Sequence, residues 1–170
     1  MKSRLLSITQ GEDIKFSNDG SRQEVLEEIM TLSHGDMRRA VTMLQSANNL
    51  SGGRPIRKDS IPEITGFPPL QVTNSLLETL RDPKTHYEPL ERKVSDVMME
   101  GYAAQHILST LLKDIIQLDE SEMSDVFKAE IAIKIAEVDK ILIDGADEYL
   151  QLLVVCALVL QRFKRMATLK

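Results

Sequence analysis

The chain has 170 residues, of which 42% are hydrophobic and 28% are charged. These proportions are ordinary for a soluble globular protein, and the length allows one domain or two small ones. The net charge of −5 is unevenly distributed, since residues 1–58 carry 9 Lys and Arg against 7 Asp and Glu, whereas residues 59–170 carry 12 against 19. Because phosphate contacts supply most nucleic-acid affinity, the acidic second part is a poor nucleic-acid binder by itself.

Two further classes of protein are excluded by composition. Cys156 is the single cysteine, so no internal disulfide can form, and its place in an apolar run predicts a buried, unreactive thiol. The longest apolar run covers the nine residues 152–160, whereas a membrane helix needs roughly 20. This run therefore predicts a helix in a protein core.

The first part of the chain predicts short helices joined by tight turns. A helix begins near Arg4 with no capping residue before it, which predicts that the chain starts inside an element, and Gly11 ends this helix. Residues 14–16 predict a short extended piece. Ser21 is predicted to cap a second helix, with Glu24 completing a capping box. The buried stripe of this helix is predicted to be Val25, Leu26, Ile29 and Leu32.

A third helix carries two adjacent arginines in its first turn. Gly35 suits a left-handed turn, and Asp36 is then the predicted N-cap of a helix that ends near Asn48. Arg38 and Arg39 lie at the positive end of the helix dipole, where a cation is unfavourable unless an anion is nearby. The residues alone leave two interpretations open, a solvated arginine beside Asp36 or an arginine that contacts a phosphate. The apolar stripe is Met37, Ala40, Val41, Leu44 and Ala47.

The remainder of the chain predicts a loop, a boundary and a larger helical domain. Residues 48–55 form a cluster of helix breakers, and residues 58–66 predict one short helix with Asp59 or Ser60 as its cap. The Phe-Pro-Pro sequence at residues 67–69 predicts a domain boundary. Five helices are predicted beyond it, over residues 70–80, 87–100, 102–118, 123–143 and 149–169.

The last predicted helix is apolar on most sides, which predicts burial on nearly all sides, inside the domain or with the help of a subunit interface. Near its end, Arg162, Lys164 and Arg165 are expected to complement the helix dipole. We expect their charge reversal to disturb assembly. The patterns together predict an all-α protein with two domains, residues 1–66 and residues 67–170.

Two segments resemble a known family. Residues 35–40, Gly-Asp-Met-Arg-Arg-Ala, followed by Leu-Gln-Ser-Ala at residues 44–47, resemble the sensor-2 helix in the lid of replication factor C small subunits, which are AAA+ clamp-loader ATPases. Residues 135–140 and 144–152 resemble the last two helices of the same subunits. The resemblance implies that residues 1–66 form an AAA+ lid bundle, truncated at its N-terminus, and that residues 67–170 form a five-helix collar.

The resemblance also implies a function. In this family the first arginine of the motif reaches the γ-phosphate of ATP bound in the same subunit, and this role falls on Arg38. The collar would pair with other subunits of a hetero-pentamer in the nucleus, which uses ATP and Mg²⁺ to place a sliding clamp on primed DNA in replication and repair. The clamp and the DNA would be reached only through the complex, and no membrane is implied.

The chain contains no G-x-x-x-x-G-K-[ST] loop for nucleotide phosphates, no acidic pair after an apolar strand, and no Ser-Arg-Cys segment for the family's arginine finger. One charge-assisted hydrogen bond contributes about 1.5–3 kcal/mol, whereas even a complex with a Kd of 1 mM needs about 4.1 kcal/mol. Arg38 alone is therefore not expected to recruit ATP. We expect no catalytic residue, no cofactor held by this chain alone, and no enzyme activity of its own.

Other candidate sites have simpler explanations. His34, His86 and His106 lack partners at metal-ligand spacing, so we expect no metal site. The acidic pairs at residues 27–28 and 119–120 are expected to be solvated, because adjacent helical residues point apart. The alternative function is a stand-alone helical adaptor that has lost the ATPase motor and competes for collar interactions. An unrelated helical enzyme would need an acid, base or nucleophile that the sequence does not bring together.

Overall fold

The computed structural model describes the backbone of residues 1–169, and the side chains of that range except those of residues 63, 65 and 169. Over these residues the regular structure is nine α-helices, with one isolated parallel bridge between Phe16 and Ile56. The predicted all-α class is confirmed. The helices are α1 Lys2–Gly11, α2 Asp19–Leu32, α3 Met37–Ser51, α4 Ser60–Thr65, α5 Leu70–Arg81, α6 Tyr87–Met99, α7 Ala104–Ile116, α8 Asp125–Ile143 and α9 Glu148–Leu169.

The chain divides into two compact units, Met1–Phe67 with α1–α4 and Pro68–Lys170 with α5–α9. Each unit has its own apolar core. Phe67, which the sequence pattern places in the second domain, is buried in the core of the first unit. The core of the first unit consists of Leu5, Val25, Leu26, Ile29, Ala40, Met43, Leu44, Ala47, Ile56, Ile61 and Phe67.

Two helix ends in the first unit differ from the prediction. Helix α2 begins three residues earlier than expected, because Asn18 rather than Ser21 is the N-cap. The side chain of Asn18 accepts a hydrogen bond of 2.6 Å from the backbone N–H of Ser21. Helix α3 continues through residues 48–51, which the sequence assigns to a loop. It ends at Gly52, which has a φ of 59° and forms a left-handed C-cap.

The second unit is organised around α9, which packs against each of the other four helices. Its side chains Leu152, Val155 and Val159 are fully buried. Within the unit, one side of the N-terminal half is not buried, since Leu150 is 54% and Val154 is 46% exposed, so the predicted burial on this side would depend on the subunit interface that the sequence pattern also allows. The four neighbouring helices cover the remaining sides and leave this one to solvent.

Helices α7 and α8 are shorter than their predicted bounds. Helix α8 starts at Asp125 rather than Met123, because Ser124 is its N-cap and accepts a hydrogen bond of 3.4 Å from the N–H of Phe127. Met123 lies before this cap and is fully buried. The core of the second unit is therefore filled by a turn residue as well as by helices.

Candidate functional site

The candidate site begins with the turn that leads into α3. His34 has a φ of 50° and Gly35 a φ of 87°, so two successive residues adopt the left-handed conformation. The N–H of Asp36 then donates a hydrogen bond of 3.0 Å to the carbonyl oxygen of Ser33, which is buried. The turn fixes the direction in which α3 leaves, and with it the position of the first helical turn.

Asp36 is the N-cap of α3, as predicted. Its Oδ1 accepts hydrogen bonds from the backbone N–H groups of Arg38 at 2.8 Å and Arg39 at 3.3 Å. The carboxylate is thus engaged by the helix start, and among the described residues it forms no ion pair with Arg38. The side chain of Arg38 is exposed.

Arg38 lies at a shallow apolar groove that a second arginine also lines. The groove has a volume of about 550 Å³. Arg4 of α1 and Arg38 of α3 line it together with Ile8, Met37 and Val41. Two guanidinium groups beside an apolar floor can bind an anionic group that is attached to a larger molecule or surface. The sequence does not indicate Arg4, because only the packing of the first unit brings α1 and α3 together.

A second cavity of about 320 Å³ continues the groove, since Ile8 and Val41 line both. Its polar lining differs from that of the first cavity and includes Glu12 and Gln45 but no arginine. The positive charge of this face is therefore concentrated at the end near the start of α3.

The two adjacent arginines have different surroundings. The guanidinium of Arg39 lies 5.4 Å from the centre of the Phe67 ring, within the first unit. This stacking partly buries Arg39, whereas Arg38 is exposed. Of these two adjacent arginines, only Arg38 lines the groove, in agreement with the position that the family resemblance assigns to it.

The other predicted candidates do not form a site. No group of His, Cys, Asp and Glu among the described residues can hold a metal ion. Glu27 forms an ion pair of 2.9 Å with Lys2, and the hydrogen bond from Lys2 lowers the pKa of this carboxyl. His34 and His86 are exposed. Within the described part of the chain, no helix has the length and apolar character to cross a membrane.

Arg162, Lys164 and Arg165, the basic residues near the end of α9, do not share the same surroundings. The Nε of Arg162 lies 2.7 Å from Oε2 of Glu130, and its guanidinium lies 5.3 Å from the centre of the Phe127 ring. Its side chain is only 13% exposed. Arg162 therefore joins α9 to α8, whereas Arg165 is exposed.

The chain matches two family models. Residues 68–158 match the replication factor C C-terminal domain, and residues 3–48 match the RCF1/5-like AAA+ ATPase lid domain. The first match covers more than half of the chain and falls within the second unit, and the second match falls within the first unit.

Individual relatives agree with these matches. The chain is 36% identical over 164 residues to replication factor C subunit 4 of Homo sapiens, which covers 96% of this chain and 42% of the human protein. It is 37% identical over 167 residues to subunit 4 of Arabidopsis thaliana, covering 98% of this chain and 47% of that protein. It is 45% identical over 130 residues to subunit 2 of Schizosaccharomyces pombe, covering 76% of this chain and 37% of that protein.

The chain thus spans less than half the length of these three relatives. Both units match modules of the same kind of protein, in the same order along the chain. The chain belongs to the replication factor C family.

Proposed function

We propose that this chain supplies the lid and collar of a replication factor C small subunit, in a nuclear, ATP-dependent clamp loader that places the sliding clamp on primed DNA. Residues 1–66 would act as the lid and residues 67–170 as the collar. The observation that carries the proposal is that the two compact units match a lid module and a replication factor C C-terminal module. A stand-alone adaptor is not favoured, because both matches are to clamp-loader subunits.

Arg38 is proposed to contact the γ-phosphate of ATP. Its exposed side chain, the groove it shares with Arg4 and the engagement of Asp36 by backbone amides support this role. A free guanidinium at the positive end of a helix dipole favours an anion. The groups that fit a phosphate are therefore present, while the nucleotide itself would be held mainly by an ATPase domain. This chain by itself would not hydrolyse ATP.

The collar is proposed to contact other clamp-loader subunits, and to reach the clamp and DNA only through them. Residues 68–170 carry 12 Lys and Arg against 17 Asp and Glu. An acidic unit of this kind is disfavoured as a direct contact for the DNA backbone.

Assembly is tested by mixing the tagged chain with the other purified clamp-loader subunits and analysing the mixture by size-exclusion chromatography. We expect the chain to elute with those subunits as one complex. Separate elution of a chain that is folded by circular dichroism would contradict the proposal, because the collar would then be insufficient for assembly.

The Arg38 role is tested in a full-length subunit that carries these residues within the assembled complex. Arg38→Ala is expected to lower the affinity for ATP about tenfold, since a lost charge-assisted hydrogen bond costs at least about 1.5 kcal/mol. Arg57→Ala is the matched control, because Arg57 is exposed, lies in the same unit and does not line the groove. Equal ATP affinity for both variants would refute the role.

A further inference from the structure

Helix α8 is apolar on two opposite faces, and only one of them is buried. Its inner face carries Ile131, Ile135 and Val138 into the core of the second unit. On the outer face, six exposed residues follow one another at alternating spacings of three and four. We call this set the α8 seam: it consists of Val126, Ala129, Ile133, Ala136, Lys140 and Ile143.

The seam has the spacing and side chains of a helix-packing surface. Val126 is 67%, Ile133 is 63% and Ile143 is 74% exposed, so its large apolar members are mostly in contact with water. Residues at alternating spacings of three and four lie on one side of a helix, and in coiled coils these residues face the partner helix. The intervening alanines allow close approach, and the seam runs for about 26 Å along the helix at roughly 1.5 Å per residue.

Carboxylates flank the seam on both sides. Glu130, Glu137 and Asp144 follow at intervals of seven along one edge, and Asp125 and Asp139 lie along the other. In the heptad that the seam defines, these are the positions that face the flanks of a partner helix. A partner helix that packs on the seam would therefore meet negative charge along both of its edges.

These carboxylates also have contacts within the chain. Glu130 pairs with Arg162 at 2.7 Å, Glu137 with Lys134 at 3.1 Å and Asp125 with Lys128 at 3.1 Å. Asp139 accepts a hydrogen bond of 2.7 Å from Gln105. The side chains of Glu130, Glu137 and Asp125 nevertheless remain 45%, 58% and 78% exposed, so they are accessible to further cations.

We propose that the α8 seam docks an amphipathic helix of a partner protein, whose apolar stripe is flanked by Lys and Arg. The acidic flanks disfavour a second copy of this chain, because two identical seams would bring carboxylates against carboxylates. The proposal deepens the proposed assembly and rests on it only for the source of the helix, which would be a neighbouring subunit. The preference of the seam for an apolar helix with basic flanks does not depend on the proposed assembly.

The test uses two synthetic four-heptad peptides with the same isoleucine and leucine seam, one flanked by lysine and the other by glutamate. Binding of the fluorescein-labelled peptides to the full chain is measured by fluorescence anisotropy. The lysine peptide is expected to bind saturably and at least tenfold more tightly than the glutamate peptide, and more weakly at high salt. Equal affinity for the two peptides would overturn the proposed chemistry.

A matched pair of variants locates the binding surface. Ile133→Glu places a charge in the centre of the seam and is expected to weaken the lysine peptide at least tenfold. Ile116→Glu is the control, since Ile116 is 56% exposed in the same unit and lies on α7, outside the seam. Both variants are checked for folding by circular dichroism. Unchanged binding by a folded Ile133→Glu variant would overturn the proposal.

Two further measurements separate this inference from the proposed function. If the wild-type chain binds the lysine peptide but does not assemble with clamp-loader subunits, the proposed function fails and the seam stands. If Ile133→Glu loses the lysine peptide but assembles as well as wild type, a neighbouring subunit is excluded as the source of the docked helix and the proposed function stands. A dimer of the chain in sedimentation velocity that Ile133→Glu abolishes would overturn the choice of partner in favour of a second copy.

Discussion

The backbone N–H of Ala104 donates a hydrogen bond of 2.7 Å to Oε2 of Glu148, across 44 residues of sequence. Ala104 is the first residue of α7, whose own N-cap residue, Ala103, makes no side-chain hydrogen bond to the helix. Glu148 is the first residue of α9. The carboxylate at the start of one helix thus caps another helix and fixes the two helix starts to each other.

Glu148→Ala is expected to lower the free energy of unfolding of the second unit by about 1–2 kcal/mol, since the helix loses its charged cap. Chemical denaturation followed by circular dichroism measures this loss. Glu88→Ala is the control, because Glu88 is also an exposed glutamate in a first helical turn. A similar loss in both variants would assign the effect to the helix dipole rather than to the bond with Ala104.

Arg162→Ala is expected to destabilise the second unit by about 1–3 kcal/mol, because the variant loses the ion pair with Glu130 and the packing on Phe127. Arg165→Ala serves as the control, since Arg165 is exposed on the same helix. Thermal unfolding of the two variants measures the difference. If both unfold at the wild-type temperature, the contacts of Arg162 contribute nothing measurable to stability.

Asp114 gives the second unit a dependence on pH. Burial raises the pKa of this carboxyl above its ordinary value of 3.8, against the opposing effects of Lys113 and Arg81. Its Oδ2 is buried with no hydrogen-bond partner among the described residues. The folded state therefore binds more protons than the unfolded state above pH 3.8, and the contribution of Asp114 to stability falls as the pH rises through its raised pKa.

Asp114→Asn is accordingly expected to raise the melting temperature at pH 7, by about 1 °C, and to have less effect near pH 4. Scanning calorimetry at the two pH values measures the difference. Asp119→Asn is the control at an exposed aspartate. An equal effect of Asp114→Asn at both pH values would contradict the assignment to proton binding.

Cys156 is expected to resist alkylation in the native protein. Its side chain is fully buried, and burial raises the pKa of the thiol to about 12. At pH 8 only about one thiol in ten thousand would be ionised even if reagent could reach it. Labelling with 5,5′-dithiobis(2-nitrobenzoic acid) should therefore be slow in buffer and immediate in guanidinium chloride. Rapid labelling of the native chain would show that the second unit opens readily around α9.

Asp36→Ala is expected to weaken the start of α3 by about 1 kcal/mol, because the N–H groups of Arg38 and Arg39 lose their acceptor. Hydrogen exchange at these amides should then be faster by about fivefold. Glu24→Ala is the control, since Glu24 is an exposed acidic residue on α2 of the same unit, and the cap of that helix is Asn18. Unchanged exchange in Asp36→Ala would mean that other contacts hold the helix start.

Local chemistry explains the elements that the sequence predicted well. Asp36 as the cap of α3 and the breaks before α6 and after α8 depend on residues that are adjacent in the chain. Two predicted helix ends were wrong because nearby residues compete to cap or to end a helix. Ser21 was predicted to cap α2, whereas the cap is Asn18. Residues 48–51 were predicted to form a loop, whereas α3 continues to Ser51 and is ended by Gly52. In each case the residue with the better local geometry, Asn18 or Gly52, determined the end of the helix.

The sequence by itself determined the all-α class, the order of the helices and the motif that contains Arg38, because helix periodicity, caps and breakers act within a few residues. Only the tertiary structure decided that Arg4 joins Arg38 at one groove, that Arg39 is occupied by Phe67, and that Arg162 is an internal partner of Glu130. It also decided which apolar face of α8 is buried. The physical reason is that these relationships depend on which helices pack together, and packing is a property of the whole unit rather than of any one segment.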